Sequence, residues 1–525
     1  MGRIVIYDTT LRDGMQGTGI SYTLEDKLQI ARQLDAFRID YIEGGFPLSN
    51  KKEAEFFVRI GKESLRHARV AAFGSTRRPH EEAGKDPHIR SLLEAETPTV
   101  TVVGKTWVKH VRQILKTSLE ENLRMIYDSI SILKKAGREV FFDLEHFFDG
   151  YRDDPDYALK VLRVGSEAGA DALVICDTNG GTLPAEVTRI MEGLPKAGLA
   201  ALGLHFHNDC GTAVANSLAG VEAGAVQVQG TINGWGERCG NANLCSLIPN
   251  LCLKLKLEVG CCEMLPHLTS LSRFVAEKAN LIPDKRQPYV GEAAFSHKAG
   301  QHADVILKAS ELMEHVPGGL VGNESRLLLS ELAGKSTIMK KLGKYGSFDK
   351  SSAEVGELIH QLKELEERGY EYEAAEASFD LVIRRALGRY TPLLELRNYH
   401  LESFKTADSP DKTVGRILLK TGGKELMGAA VGLGPVETLD GCLRDALLPI
   451  HPFLARLKLT DYAVRVLNPE RATAAKVRVF ITSSDGDKAW GTVGVSENIV
   501  EASWQALIDS MDYYYNNQVL ENGEI

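Results

Sequence analysis

Residues 199–209, Leu-Ala-Ala-Leu-Gly-Leu-His-Phe-His-Asn-Asp, carry an apolar run that ends in two histidines one residue apart. The run Leu199–Leu204 reads as a buried strand. On an extended chain residues i and i+2 point the same way, so His205 and His207 share one face at the strand's end. Two imidazoles placed like this are metal-ligand candidates. An isolated His-x-His also fits two ordinary polar histidines. It gains meaning when other ligand-type residues reach equivalent strand ends.

Outward from this stretch the chain alternates strand and helix signals. Strands are expected at 3–8, 39–44, 69–74, 99–104, 139–144, 171–176, 199–206 and 225–232. Helices are expected between them, among others at 23–36, 118–136, 155–168, 184–197 and 211–223. Thr23-Leu24-Glu25-Asp26, Pro155 and Pro184 supply helix starts. Eight strands alternating with helices over this length is the count of a (β/α)8 barrel. A doubly wound open sheet has the same local pattern. The polar residues decide between them. Arg12-Asp13 follow strand 1, Glu43 ends strand 2, and Glu145-His146 end strand 5. Asp177-Thr178-Asn179 end strand 6, His205 and His207 end strand 7, and Asn233 to Asn241 follow strand 8. One carboxylate after a strand is usually a helix cap. Six polar ends together fit one barrel mouth, where active sites of such barrels sit.

At 525 residues the chain is too long for one core and implies two or three domains. The formal charge of −9 argues against a general nucleic-acid binder. Of eight cysteines none forms a Cys-x-x-Cys pair, which argues against a thiolate zinc site, and scattered thiols suit a reducing cytoplasm. Met1-Gly2-Arg3 runs straight into Ile4-Val5-Ile6-Tyr7, so no signal peptide is expected, and no apolar run is long enough to span a bilayer. The expected location is the cytoplasm, with no membrane partner.

Three segments are expected: a TIM-barrel domain at 1–257, a helical linker at 258–390 and a C-terminal α+β domain at 391–525. The linker contains a polar turn, Ser296-His297-Lys298-Ala299-Gly300-Gln301-His302-Ala303-Asp304. In the last segment strands are expected at 394–403, 413–420, 425–433, 458–467, 475–483 and 488–495, with helices at 436–448 and 498–514. Ala430-Val431-Gly432 before Val436-Glu437 echoes Thr492-Val493-Gly494 before Val500-Glu501. This reads as two βββα units.

Arg12-Asp13, Glu43 and the His-x-His resemble the DRE-type TIM-barrel metal enzymes. That group includes the 2-isopropylmalate, homocitrate and citramalate synthases and the hydroxymethylglutaryl-CoA lyases. GERCGNANL (236–244) resembles the synthase form of the strand-8 loop, where a lyase would show a Cys in a GGCP-like loop. YDTTLRDGMQ (7–16), AFGSTRRP (72–79), VVGKTWVKHV (102–111), DLEHFFDGY (143–151) and ICDTNGGTLP (175–184) resemble the long bacterial citramalate-synthase branch. Isopropylmalate synthases carry a different strand-5 end. The C-terminal repeat resembles the regulatory domain of the isopropylmalate and citramalate synthases.

The resemblance implies a Claisen condensation of acetyl-CoA with pyruvate, followed by thioester hydrolysis to (R)-citramalate and CoA on the way to isoleucine. It implies a divalent ion, Mn²⁺, Zn²⁺ or Mg²⁺, on Asp13, His205, His207 and Asn241. Asn241 could instead cap the following helix. Arg12 is expected to stabilise the alkoxide and to be held by Glu43. Thr178 is expected either to bind the pyruvate carboxylate or to brace its turn. Glu145 with His302 is expected to carry proton transfer, His302 coming from a second subunit of a homodimer. An amino-acid effector, isoleucine, is expected at the C-terminal domain. The alternatives are a 2-isopropylmalate synthase acting on 2-oxoisovalerate, a metal-dependent acyl-CoA lyase, and a non-catalytic binding barrel.

Overall fold

A computed structural model describes residues 2–195, 197–297, 312–327, 342, 345, 353–372, 374–406 and 409–519. Eight parallel strands close into a barrel in chain order: β1 Val5–Asp8, β2 Tyr41–Gly45, β3 Arg69–Ser75, β4 Thr99–Lys105, β5 Glu139–Glu145, β6 Ala172–Asp177, β7 Ala201–Phe206 and β8 Gln227–Gly230. β1 pairs with β2 on one side and β8 on the other, so the open-sheet alternative is excluded. Each expected strand lies within a few residues of its place.

Alternation along the strands sends one set of side chains into the barrel and the other against the helices. The inward set stacks in layers. Near the strand starts the Glu139 carboxylate accepts from Thr99 Oγ1 at 2.6 Å and Tyr41 Oη at 3.1 Å. Above it Tyr7, Ala71, Phe141 and Ala172 pack together, with the Tyr7 and Phe141 rings edge to face. Beyond this layer, Asp143, Glu145, Lys105 and His205 line the mouth together with the apolar Phe73 and Val103. Outward residues such as Ile6, Ile42, Val102, Phe142 and Leu204 join the helices in the main core.

The helices begin where their sequences allow. Thr23 and Asp26 form a reciprocal capping box before Leu24–Ala36. Pro155 and Pro184 open Pro155–Glu167 and Pro184–Gly193, where a missing N–H costs nothing. Helix Leu268–Lys278 buries Leu271 and Val275 in the barrel's core and belongs to that compact unit, which comprises Met1–Ser296 and Glu314–Arg326.

The second unit comprises His297–Met313 and Leu327–Ile525. Antiparallel strands Glu395–Thr406, Ser409–Thr421 and Lys424–Gly432 precede helix Pro435–Leu447. Strands Lys458–Val466, Val477–Ser484 and Ala489–Ser496 precede helix Ile499–Tyr514. These are the two expected βββα units. Each helix lies close on its sheet at a glycine: a Cβ on Gly428 would meet Cys442 O at 2.1 Å, and one on Gly494 would meet Ala502 O at 1.9 Å.

One expectation needs correction. Cys252 and Cys262 are not separate thiols but a disulfide, because the helical turn Asn250–Lys254 and the turn at Cys262–His267 bring their Cα atoms to 5.7 Å. Cys176, Cys210, Cys239, Cys245, Cys261 and Cys442 are free. Among the described residues no helix is long and apolar enough to cross a membrane.

Candidate active site

The mouth of the barrel is built from strand ends. After β1 the chain turns sharply because the buried Asp8 carboxylate accepts from Thr10 N at 2.9 Å and Thr10 Oγ1 at 2.8 Å. Thr9 N donates to Gly230 O at 2.8 Å and ties this turn to β8. Asp13 is thereby carried to the end of β7. His205 Nε2 lies 3.4 Å and His207 Nε2 3.9 Å from Asp13 Oδ2. Asp13, His205 and His207 are buried and form one cluster of metal-ligand type.

Asn241 joins them through the backbone, as the bridge partner of His207. It does not cap the following helix; that cap is Asn243, which accepts from Cys245 N at 2.9 Å. Its Nδ2 donates to Trp235 O at 3.3 Å, while its Oδ1 and Asp13 Oδ1 are buried without a hydrogen-bond partner among the described residues. Buried oxygens of this kind are costly unless something is bound to them. Gly236 leaves the approach open: a Cβ there would meet Asn241 Nδ2 at 2.1 Å and Asp13 Oδ1 at 3.4 Å. Two imidazole nitrogens and two orphaned oxygens fit a divalent ion that accepts mixed N and O donors.

At Asp13 and His207 electrostatics favour the same use. Burial works against charge on Asp13, but Arg12 and the two imidazoles outweigh it and hold the carboxyl far below its usual range. Burial, then the neighbouring His205, pulls His207 down to about 4, which keeps its ring neutral.

Arg12 is held rigidly beside this cluster. Its Nε donates to Glu43 Oε2 at 2.5 Å, its Nη1 to Asp13 Oδ2 at 3.2 Å, and its guanidinium stacks on Phe73 at 4.0 Å. Glu43 is fully buried and also accepts from Tyr7 Oη at 2.9 Å, itself joined to Thr101 Oγ1 at 2.6 Å. Arg12, Asp13, Glu145, Thr178, His205 and His207 face one cavity of about 440 Å³. Glu145 is ion-paired with Lys105. Thr178 Oγ1 accepts from His146 N at 2.9 Å, the bracing role, and its hydroxyl proton remains to be donated. His302 lies outside the described residues.

With this geometry in view, residues 3–273 match the HMGL-like family, residues 289–370 a homocitrate synthase post-HMGL domain-like family, and residues 373–515 the LeuA allosteric (dimerisation) domain. The chain is 50% identical over 514 residues to an (R)-citramalate synthase of Aquifex aeolicus, covering 97% of each chain. The chain belongs to the citramalate synthase family. A second (R)-citramalate synthase, of Geobacter sulfurreducens, is 49% identical with 98% of each chain covered. A probable 2-isopropylmalate synthase of Methanopyrus kandleri is 32% identical, covering 96% of this chain and 97% of that one.

Three residues in this family member's site escape a reading of strand ends that stops at the obvious carboxylates and histidines. Gln229 Oε1 accepts from His205 Nδ1 at 2.9 Å, which leaves Nε2 free to face Asp13. Gln229 Nε2 reaches Asp143 Oδ1 at 3.4 Å. Asp143 is buried in the barrel, and that burial, then the nearby Glu43, raises its carboxyl to about 7. Lys105 closes β4 and pairs with Glu145. The signal for Gln229 was in the sequence. Gln227 and Gln229 alternate with Val226 and Val228, which puts amides on the inward face of a buried strand.

Proposed function

We propose that the protein condenses acetyl-CoA with pyruvate and hydrolyses the resulting thioester, giving (R)-citramalate and CoA. The observation that carries this reading is the convergence of Asp13, His205, His207, Arg12 and Glu145 on one cavity. Whole-length likeness to (R)-citramalate synthases supports it.

In this reading Asp13, His205, His207 and Asn241 hold a divalent ion, Mn²⁺, Zn²⁺ or Mg²⁺, which when bound supplies Lewis-acid polarisation of the keto acid. Thr178 donates its hydroxyl to the pyruvate carboxylate while the His146 amide fixes its oxygen. Glu145 removes a methyl proton of acetyl-CoA, with His302 as its partner in proton transfer. The carbanion attacks the keto carbon, and Arg12, immobilised by Glu43, donates to the oxygen that becomes an alkoxide. Water then cleaves the thioester and drives the sequence forward. The C-terminal unit pairs two copies into a homodimer and binds isoleucine as feedback effector. The enzyme works in the cytoplasm.

Release of CoA is followed with pyruvate and with 2-oxoisovalerate as acceptor. Preference for pyruvate by tenfold or more (about 1.4 kcal/mol) is expected. Preference for 2-oxoisovalerate replaces the reading with 2-isopropylmalate synthase, and cleavage of a hydroxyacyl-CoA without condensation replaces it with a lyase.

A further inference from the structure

Lys105 and Glu145 are the last residues of β4 and β5 and stand opposite each other in the strand register. In-register residues of neighbouring parallel strands project to the same side, here into the cavity. Their side chains are 24% and 22% exposed, which opens both to that cavity while anchoring their stems. The backbone under Lys105 is fixed: its carbonyl accepts from Asn122 Nδ2 at 2.8 Å, and Thr106 N donates to Glu145 O at 3.3 Å.

An ammonium has three N–H donors, and Glu145 takes one. Among the described residues no other side chain accepts from Lys105 Nζ. The neighbouring cations are committed elsewhere. Arg12 serves Glu43 and Asp13, Arg77 serves Glu121 and Asp128, and Arg78 serves Asp86. Lys105 is thus the lining cation whose carboxylate partner is the proposed base.

The chemistry asks for a cation at that place. When a base takes the methyl proton of a thioester, the C–H bond breaks and its electron pair becomes the carbon–carbon double bond of an enolate. The carbonyl π pair moves onto the thioester oxygen. That oxygen gains a full negative charge, and a preorganised donor lowers the barrier. We propose that Lys105 is a catalytic residue whose ammonium donates to the thioester carbonyl oxygen of acetyl-CoA and holds the enolate charge while Glu145 holds the proton. As the enolate carbon bonds to the keto carbon, the keto π pair moves onto the keto oxygen as the alkoxide, the pair on the thioester oxygen re-forms its carbonyl, and Lys105 releases the charge. This rests on the reading of Glu145 as the base.

The test uses the full-length, metal-loaded protein with acetyl-CoA in deuterated water and oxamate in place of pyruvate, and follows methyl-proton exchange by NMR. Lys105→Met is expected to slow exchange about 10²-fold or more. Lys105→Arg is expected to recover part of it, and the KM for pyruvate should hold within about threefold. Lys105→Gln serves as a second variant if the methionine protein folds poorly. A second readout separates polarisation from mere positioning of Glu145. With 13C at the acetyl carbonyl of bound acetyl-CoA, the carbonyl stretch should shift to lower frequency in the wild type and in Glu145→Gln. It should return to the solution value in Lys105→Met. A carbonyl stretch unchanged by Lys105→Met overturns the inference. So does exchange by Lys105→Met within twofold of wild type while Glu145→Gln is silent; the base reading then survives. Exchange by Glu145→Gln at the wild-type rate overturns the base reading and this inference with it.

Discussion

At Arg12 one guanidinium serves two carboxylates through different nitrogens, Nε to Glu43 and Nη1 to Asp13. A lysine carries a single point charge and cannot reproduce that fork. Arg12→Lys should therefore lower kcat by about 10²–10³-fold. Calorimetric metal affinity should move only a few-fold, since the donor atoms are untouched; unchanged kcat would remove Arg12 from the chemistry. His207→Ala has the opposite signature. It deletes a nitrogen from the cluster with Asp13 and His205 and should weaken Mn²⁺ or Zn²⁺ binding to chelator-treated protein by about tenfold or more. Titration calorimetry reads this directly, and wild-type affinity would move the ion elsewhere. Glu43, Arg12 and Asp13 were legible as candidates from their places after strand ends. Their contacts were not, because a contact between β1 and β2 residues depends on the register of two strands joined through a helix.

Among the elements, the segment after β3 shows how a cap shapes the cavity wall. Asp86 caps helix Pro87–Glu94 by accepting from His88 N at 2.9 Å. It also accepts from Arg78 N at 3.1 Å and Arg78 Nε at 3.0 Å, and Arg78 and Pro79 line the cavity. Burial opposes its charge, but these backbone and guanidinium donors win, so its pKa is lowered on folding. The sign follows. The contribution is complete above the unfolded value of about 3.9 and disappears as pH falls through the lower folded value. Asp86→Ala should cost about 1–2 kcal/mol at pH 7, with a smaller difference from wild type at pH 3, measured by urea denaturation. It should also raise the KM for substrate, because the loop carrying Arg78 loses its anchor. Equal losses at both pH values would discount the ionised cap.

For the whole molecule, one sheet face of the second unit is left uncovered by the described residues. Helix Pro435–Leu447 lies on the face that buries Ile417 and Leu419. On the other face Val414 stands opposite Val431, and Leu418 opposite Met427; Val414, Val431 and Met427 are 44%, 67% and 70% exposed. Exposed apolar side chains on an open sheet face call for a partner. In the proposed homodimer, Met427→Asp combined with Val431→Asp should give a monomer in sedimentation velocity, and a dimer at micromolar concentration would place the interface elsewhere. Helix Glu376–Ala386 packs against the C-terminal sheet and helix. Phe379 and Ile383 of helix Glu376–Ala386 pack with Val493 and Val495, and Arg385 pairs with Asp509 at 2.8 Å. Ending the chain near Gly388 would strip these apolar residues of their cover. Isoleucine titration of the intact enzyme at limiting substrate is the sounder measurement. Inhibition is expected at millimolar isoleucine or below, and none by isoleucine or leucine would defeat the regulatory reading.

The sequence by itself determined the elements, their order and their inner faces, because alternation of period two and helical periodicity are local properties of the chain. It placed His205 and His207 on one face and set out the two βββα units by repetition. Tertiary structure alone decided which side chains meet. Lys105 reaches Glu145, Gln229 reaches His205, and Asn241 bridges to His207 because segments apart in sequence close into a ring with a particular stagger. Cys252 and Cys262 likewise join because two turns fold back on each other. Register between strands is set by packing of the whole barrel, a sum over many distant contacts, and no local stretch of sequence contains it.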